Sequence, residues 1–266
     1  MNLLQRLRDE VRLMAVALQY FTRLPVPAFD AFDVRWLSES VRWFPLAGLV
    51  VGAIAAGVLW GSAHVFVWPV ACLCAVAASL IATGAFHEDG LADTFDALGG
   101  HVPRARALEI MRDSRIGTYG AAALAISLLL RWQVLVAMPS PIALAWLLSV
   151  HPAARAGAAV LMASLPYVRL DDDAKAKPVA QPMSWAHAAC TVAIGLIPAL
   201  VLAAWRPHWW PWLLASTLAL VLVHVACRRW FAQRLGGYTG DALGATEQLG
   251  EIGSGLAVLA ALRLLA

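Results

Sequence analysis

Three aspartates, Asp89, Asp93 and Asp96, stand four and then three residues apart in the run His87-Glu88-Asp89-Gly90-Leu91-Ala92-Asp93-Thr94-Phe95-Asp96-Ala97-Leu98-Gly99-Gly100. On a helix that spacing places all three on one face. Like charges so arranged repel, and a bare helix loses stability; a divalent cation reverses the sign of the effect. Oxygen ligands without Cys or a His pair favour a hard ion, Mg²⁺ or Mn²⁺. A solvated acidic surface at the end of a membrane span is the plainer reading. Gly90 and Ala92 among the acids weigh against it, because small residues let a helix or substrate approach closely. Glu88 points ~100° away from Asp89 and falls outside the ligand set, whereas His87 borders the face as a candidate substrate contact.

Further groups follow along the chain. Arg112-Asp113-Ser114-Arg115 sets an acid between two arginines and breaks at Gly117. Arg112 and Arg115 have the planar fork that clamps phosphate oxygens; Asp113 is a further metal ligand or an ion-pair partner. Tyr167-Val168-Arg169 runs through Asp171-Asp172-Asp173 to Lys175-Ala176-Lys177-Pro178, which taken alone reads as a solvated loop. Gly236-Gly237-Tyr238-Thr239-Gly240-Asp241 surrounds one carboxylate with glycines, with Glu247 beyond it. Two arginines lie in apolar runs, where charge is costly and marks function by default. Arg155 is expected to face the bundle interior near the acids or a phosphate; Arg131 is expected only to snorkel.

The elements that must carry these groups are membrane helices. Hydrophobic residues make up 61% of the 266, charged residues 14%, and the mean hydropathy is +0.70. A soluble domain of this size carries about a quarter charged residues. Apolar runs near 44–67, 69–86, 119–138, 142–163, 186–204, 211–227 and 252–265 predict about seven spans. The ~10-residue alternating strands of a β-barrel are absent. The expected fold is all-α, one polytopic helical bundle over residues 1–266. Before it, Leu3, Leu7, Val11, Met14, Leu18 and Phe21 form the apolar stripe of an amphipathic helix lying on the membrane, or packed on the spans.

Loop lengths and charge give an orientation. Turns at 68–69, 139–141 and 206–208 are short, whereas 1–43, 87–118, 164–185 and 228–251 are long and hold 16 of the 20 Lys and Arg residues. The long side is therefore expected in the cytoplasm. All 17 acidic residues share that side. The four cysteines lie in apolar runs without zinc or disulfide spacing. A net charge of +3 is too small to imply nucleic acid.

Carboxylates on one face, arginines nearby and a hard metal suit phosphoryl transfer. A CDP-alcohol phosphotransferase would continue Asp-Gly with Ala-Arg, but here Ala92 precedes Asp93. An ion-coupled transporter would place its acids at mid-membrane, with inverted repeats, and no repeat is visible. Through 87–100, 108–120 and 236–245, with Phe21-Thr22-Arg23-Leu24-Pro25-Val26-Pro27, Pro166-Tyr167-Val168-Arg169 and Lys175-Ala176-Lys177-Pro178, the chain resembles the cobalamin synthases, or adenosylcobinamide-GDP ribazoletransferases.

The resemblance implies a multi-pass enzyme of the bacterial cytoplasmic (inner) membrane, with its active site facing the cytoplasm. It would join adenosylcobinamide-GDP to α-ribazole, or its 5′-phosphate, and release GMP with Mg²⁺ required. Asp89, Asp93 and Asp96 match the family's acidic motif and are the implied metal ligands. Asp113 and Asp241 match its other acidic positions. Arg112, Arg115, Arg155, Arg169, Lys175 and Lys177 are the implied phosphate or nucleotide contacts. Homo-oligomers, or association with other enzymes of cobalamin synthesis, are conceivable partners.

Overall fold

A computed structural model describes residues 3–27, 29, 33, 35–169 and 183–265. Helix α1 (Leu3–Phe21) is followed by α2 (Arg35–Glu39), a short 3-10 turn and α3 (Phe44–Ser62). Then come α4 (Trp68–Thr83), α5 (Phe86–Leu98), α6 (Arg104–Ile110) and α7 (Thr118–Ala137). Helices α8 (Ser140–Ser164), α9 (Trp185–Trp205), α10 (Trp210–Arg234) and α11 (Gly240–Leu265) complete the bundle.

Five helical stretches among the described residues are long and apolar enough to cross a membrane: Arg35–Ser62, Thr118–Ala137, Ser140–Ser164, Trp185–Trp205 and Pro207–Arg234. A sixth is made if α4 and α5 count as one bent span. The polytopic helical fold read from composition is thus the observed one. The seventh expected span, 252–265, is the C-terminal part of α11, which is not among these stretches. Exposed Trp60, Trp185, Trp205 and Trp210 ring the helix ends, as amphipathic side chains do at an interface.

The second half of helix α1 packs on the bundle, the second of the two alternatives open to it. Leu13, Val16, Ala17 and Phe21 are buried in the bundle, whereas Leu3, Leu4, Leu7 and Val11 are exposed. Its first half therefore presents unpaired apolar side chains, and its second half is part of the core. Trp43 donates from Nε1 to Glu10 (2.9 Å), and Arg42 pairs with Glu10 (3.3 Å), which fixes the middle of α1 against the start of α3.

The apolar run expected over 69–86 ends three residues sooner, at Thr83, and the helix of the aspartates, α5, leaves α4 at 88°. Gly84 (φ 66°) and Ala85 (φ 58°) are both left-handed. Glycine takes that conformation freely, whereas alanine pays about 1–2 kcal/mol. Gly84 N–H and Ala85 N–H close the end of α4 onto Ile81 O (3.3 Å) and Leu80 O (3.0 Å), and the backbone N–H of Arg23 donates to Ala82 O (2.7 Å). We read the span as ending at Thr83, with α5 turned away from its direction.

Candidate functional site

The turn at Gly84–Ala85 restarts the helix just ahead of the acids, so the expected face survives on α5 alone. Asp89 is exposed, Asp93 and Asp96 are partly buried, and Glu88 is buried on the other side of the helix. At Gly90 α5 meets the first turn of α11: a Cβ there would come within 2.9 Å of Asp241 O and 3.0 Å of its Cα. Only glycine lets the two backbones approach so closely.

Asp241 is brought to this place by a small piece of strand-like pairing. Val168 N–H donates to Tyr238 O (3.0 Å) and Tyr238 N–H donates to Pro166 O (2.9 Å), while the two tyrosine rings pack edge to face. A side chain at Gly237 would strike Pro166 O. Thr239 Oγ1 then accepts from Ala242 N–H (3.2 Å) and starts α11 as an N-cap. The result sets Arg169 Nη1 3.7 Å from Asp241 Oδ2, an oxygen that is buried without a hydrogen-bond partner.

The electrostatics agree with this convergence. Asp93 is pushed up to about 7, first by burial, then by the charges of Asp241, Asp89 and Asp96, against which Arg169 acts. Burial likewise raises Asp241; Arg169 offsets this, and Asp89 adds to it. A partly buried group of carboxylates with one oxygen left without a donor has the chemistry of a hard-cation site, although no three of them bring an oxygen each within 4.8 Å of one another.

Asp96 has another use. Its Oδ2 accepts from Gly117 N–H and its Oδ1 from Gly120 N–H, both at 2.7 Å. It thereby caps the N-terminus of α7 from across the structure, where a carboxylate also meets the helix dipole favourably. Each oxygen keeps a lone pair, yet its placement is accounted for without metal. Asp113 takes the ion-pair option: Arg115 Nη2 donates to Oδ2 at 2.6 Å and Nε to Oδ1 at 2.9 Å. These bonds hold the Asp113 carboxyl down at about 2. Arg112 and Arg115 are exposed on this loop, which Asp96 pins to α5. Lys175, Lys177 and Asp171–Asp173 lie outside the described residues.

Inside the bundle is a second charged cluster that the sequence reading largely missed. Arg131 does not snorkel: its side chain is only 6% exposed, and Nη1 donates to Glu88 Oε1 at 2.7 Å. It also reaches Gln248 Oε1 (3.2 Å), Ser79 Oγ (3.0 Å) and Glu251 Oε2 (3.3 Å). A buried arginine this far from water requires such partners. Arg155 faces the interior as expected, but its nearest partner is Glu247 Oε1 at 2.6 Å, with Glu251 Oε1 at 3.5 Å. His151 Nδ1 contacts Glu251 Oε1.

His151, Glu247 and Glu251 are, among the described residues, the group of three whose possible ligand atoms lie within 4.8 Å of one another. Two guanidinium groups already face their carboxylates, so a divalent ion there would meet like charge at close range. His87 is buried, stacks on Phe21 (centroids 5.4 Å apart, planes at 9°) and leaves Nε2 without a partner. The crevice beside it, bounded by Tyr20, Phe86, Gly240, Arg155 and Glu247, encloses about 20 Å³. That is room for one water and not for a substrate.

With this geometry the similarity to known proteins is decisive. A family described as cobalamin-5-phosphate synthase matches residues 13–260. The chain belongs to the cobalamin-5-phosphate synthase family. It is similar to adenosylcobinamide-GDP ribazoletransferases from Leptothrix cholodnii (44% identity, covering 94% of this chain and 96% of the relative) and Shewanella frigidimarina (40%, covering 94% and 95%). Another, from Ralstonia nicotianae, is 41% identical over 92% of this chain and 94% of its own. No solved structure matches. The matched region contains both the α5–α11 acid face and the buried arginine network.

Proposed function

We propose that the chain joins adenosylcobinamide-GDP to α-ribazole, or to its 5′-phosphate, and releases GMP. The observation that carries the proposal is the meeting of α5 with the Gly236–Asp241 turn and the Pro166–Arg169 segment. Three stretches far apart in sequence converge there, in a member of this family, on Asp89, Asp93, Asp241 and Arg169. The ribazole hydroxyl would attack the cobinamide-side phosphorus. An O–P bond forms there as the bond to the bridging oxygen breaks, and GMP leaves with that electron pair.

Asp89 and Asp93, joined by Asp241, would hold Mg²⁺. When bound, the ion supplies positive charge against the diphosphate and the departing phosphate. Arg169, whose guanidinium stands beside Asp241, is set to engage a phosphate oxygen, with Arg112 and Arg115, exposed on the loop that Asp96 holds, and the sequence candidates Lys175 and Lys177 left for the rest of the nucleotide. One carboxylate of the face takes the hydroxyl proton. Asp96 contributes by holding the start of α7 against α5. Arg155 and His87 act from within the bundle and touch no substrate.

Both substrates are large and polar, so the acid face must open to the compartment that holds them. We place it in the cytoplasm, with the protein in the bacterial inner membrane; the excess of Lys and Arg on the long segments supports that orientation. The test is GMP release by purified protein in liposomes given both substrates, with and without Mg²⁺. Mg²⁺-dependent GMP with matching cobalamin supports the reading. No product from folded protein with any of several divalent ions would remove it.

A further inference from the structure

We infer that Arg131 and Glu88 are positioning residues for the acid face, acting through the buried charge network to set how α5 stands against α11. The inference rests on the reading of that face as the metal and substrate site. It concerns how the face is held, since neither residue touches it.

The N-terminus of α5 has no side-chain cap, and the residue before it is the left-handed Ala85. The turn is held by backbone bonds alone, Gly84 N–H to Ile81 O (3.3 Å) and Ala85 N–H to Leu80 O (3.0 Å), which tie α5 to α4 and not to α7 or α11. Glu88 lies one residue before Asp89, buried where Asp89 is exposed. A rotation of α5 that moved Asp89 would have to pull Glu88 off Arg131.

That single guanidinium, carried by α7, holds Ser79 of α4, Glu88 of α5, and Gln248 and Glu251 of α11. It thus touches both helices that bear the aspartates. On α11 the grip is continued by Arg155 on Glu247 and by His151 on Glu251, both from α8. Glu247 is six residues, ~9 Å, along the helix from Asp241.

Stability alone does not explain such a network. Buried ion pairs are often replaced by apolar residues with no loss of stability. What apolar packing gives up is direction: a forked cation bonded at fixed angles to three helices specifies a rotation that methyl groups do not.

The experiment compares wild type with Glu88→Leu/Arg131→Met and with Arg131→Lys, read by Mn²⁺ affinity, hydrogen exchange in metal-free protein, melting temperature and Mg²⁺-dependent turnover. The apolar pair is expected to keep its melting temperature within a few degrees and to weaken Mn²⁺ binding about tenfold or more. Its kcat should fall in step. Amides of residues 86–98 should exchange faster, while those of α9 are unchanged. Arg131→Lys, which keeps the charge and loses the fork, should fall between. Wild-type Mn²⁺ affinity and α5 exchange in the apolar pair would overturn the inference. Should that pair not fold, the same wild-type values in Arg131→Lys would overturn it. Absence of turnover in wild type that still binds Mn²⁺ would instead count against the substrates proposed.

Discussion

Asp89 and Glu88 are neighbours in the chain and belong to different parts of the machine. One is exposed on the acid face; the other is buried against Arg131. Replacing Asp89 or Asp93 by Ala should lower turnover at least 100-fold while the melting temperature in detergent changes little, since neither side chain supports the core. Near-normal turnover in both would remove them from the metal site. Asp93 adds a pH dependence. Its carboxyl, held up at about 7 by burial and by its acidic neighbours, keeps a proton below that pH, and a cation must displace it. Metal binding near neutrality should release up to one proton, and apparent affinity should fall towards tenfold per pH unit below 7. Calorimetry in buffers of different ionisation enthalpy reads this directly; no buffer dependence would contradict it.

The acid face was legible because i, i+4, i+7 needs only local sequence. The buried network was not. Arg131 meets Glu88 and Gln248 across 43 and 117 residues of chain. A lone arginine in an apolar run looks the same whether it snorkels or is paired. A usable signal was Glu247 with Glu251, four residues apart on one helix face.

At the scale of elements, the site depends on two breaks in regular structure. The first is the turn of α4 into α5, where Ala85 is left-handed (φ 58°). Ala85→Gly removes that strain at some cost in unfolded-chain entropy. It should leave the protein as stable or up to about 1 kcal/mol more stable. A loss beyond about 1 kcal/mol in chemical denaturation would show that Ala85 makes a contact that matters more than its dihedral. The second is the pairing of 166–168 with 238. Gly237→Ala drives a methyl into Pro166 O, and such overpacking costs about 1–3 kcal/mol. It should also displace Arg169 from Asp241, so KM for adenosylcobinamide-GDP should rise, and an unchanged KM would detach that segment from the substrate. The end of the apolar run near 86 was readable, but neither the bend nor the pairing was: Thr83-Gly84-Ala85 has no proline and a single glycine, and nothing in it marks an 88° turn. Two-residue strand pairing has no period at all.

The whole molecule is a helical bundle with most of its charge on the long connecting segments and a second group, around Arg131 and Arg155, buried inside. Composition alone was enough for that architecture, because lipid leaves helices as the only way to satisfy the backbone over so many apolar runs. The N-terminal helix was half readable: its stripe predicted an apolar face, and only packing decides that Phe21 is core while Leu3 is exposed. Orientation makes a separate prediction. A cysteine placed at Ser114, on the loop of Arg115, should be labelled by an impermeant maleimide only from the cytoplasmic side of sealed vesicles. One at His64, after α3, should be labelled only from the other side. The reverse pattern would invert the topology and remove the site from its substrates.

The most direct test of the account is the amount of Mn²⁺ bound per chain, by electron paramagnetic resonance, in wild type, Asp89→Asn/Asp93→Asn and His151→Ala/Glu247→Gln, each with its melting temperature recorded. We predict that wild type binds the ion, that the His151→Ala/Glu247→Gln protein still binds it at saturating Mn²⁺ though with lower affinity, and that the Asp89→Asn/Asp93→Asn protein does not. Retention of Mn²⁺ in Asp89→Asn/Asp93→Asn, with loss from His151→Ala/Glu247→Gln, would contradict the account and move the metal from the face of α5 into the middle of the bundle.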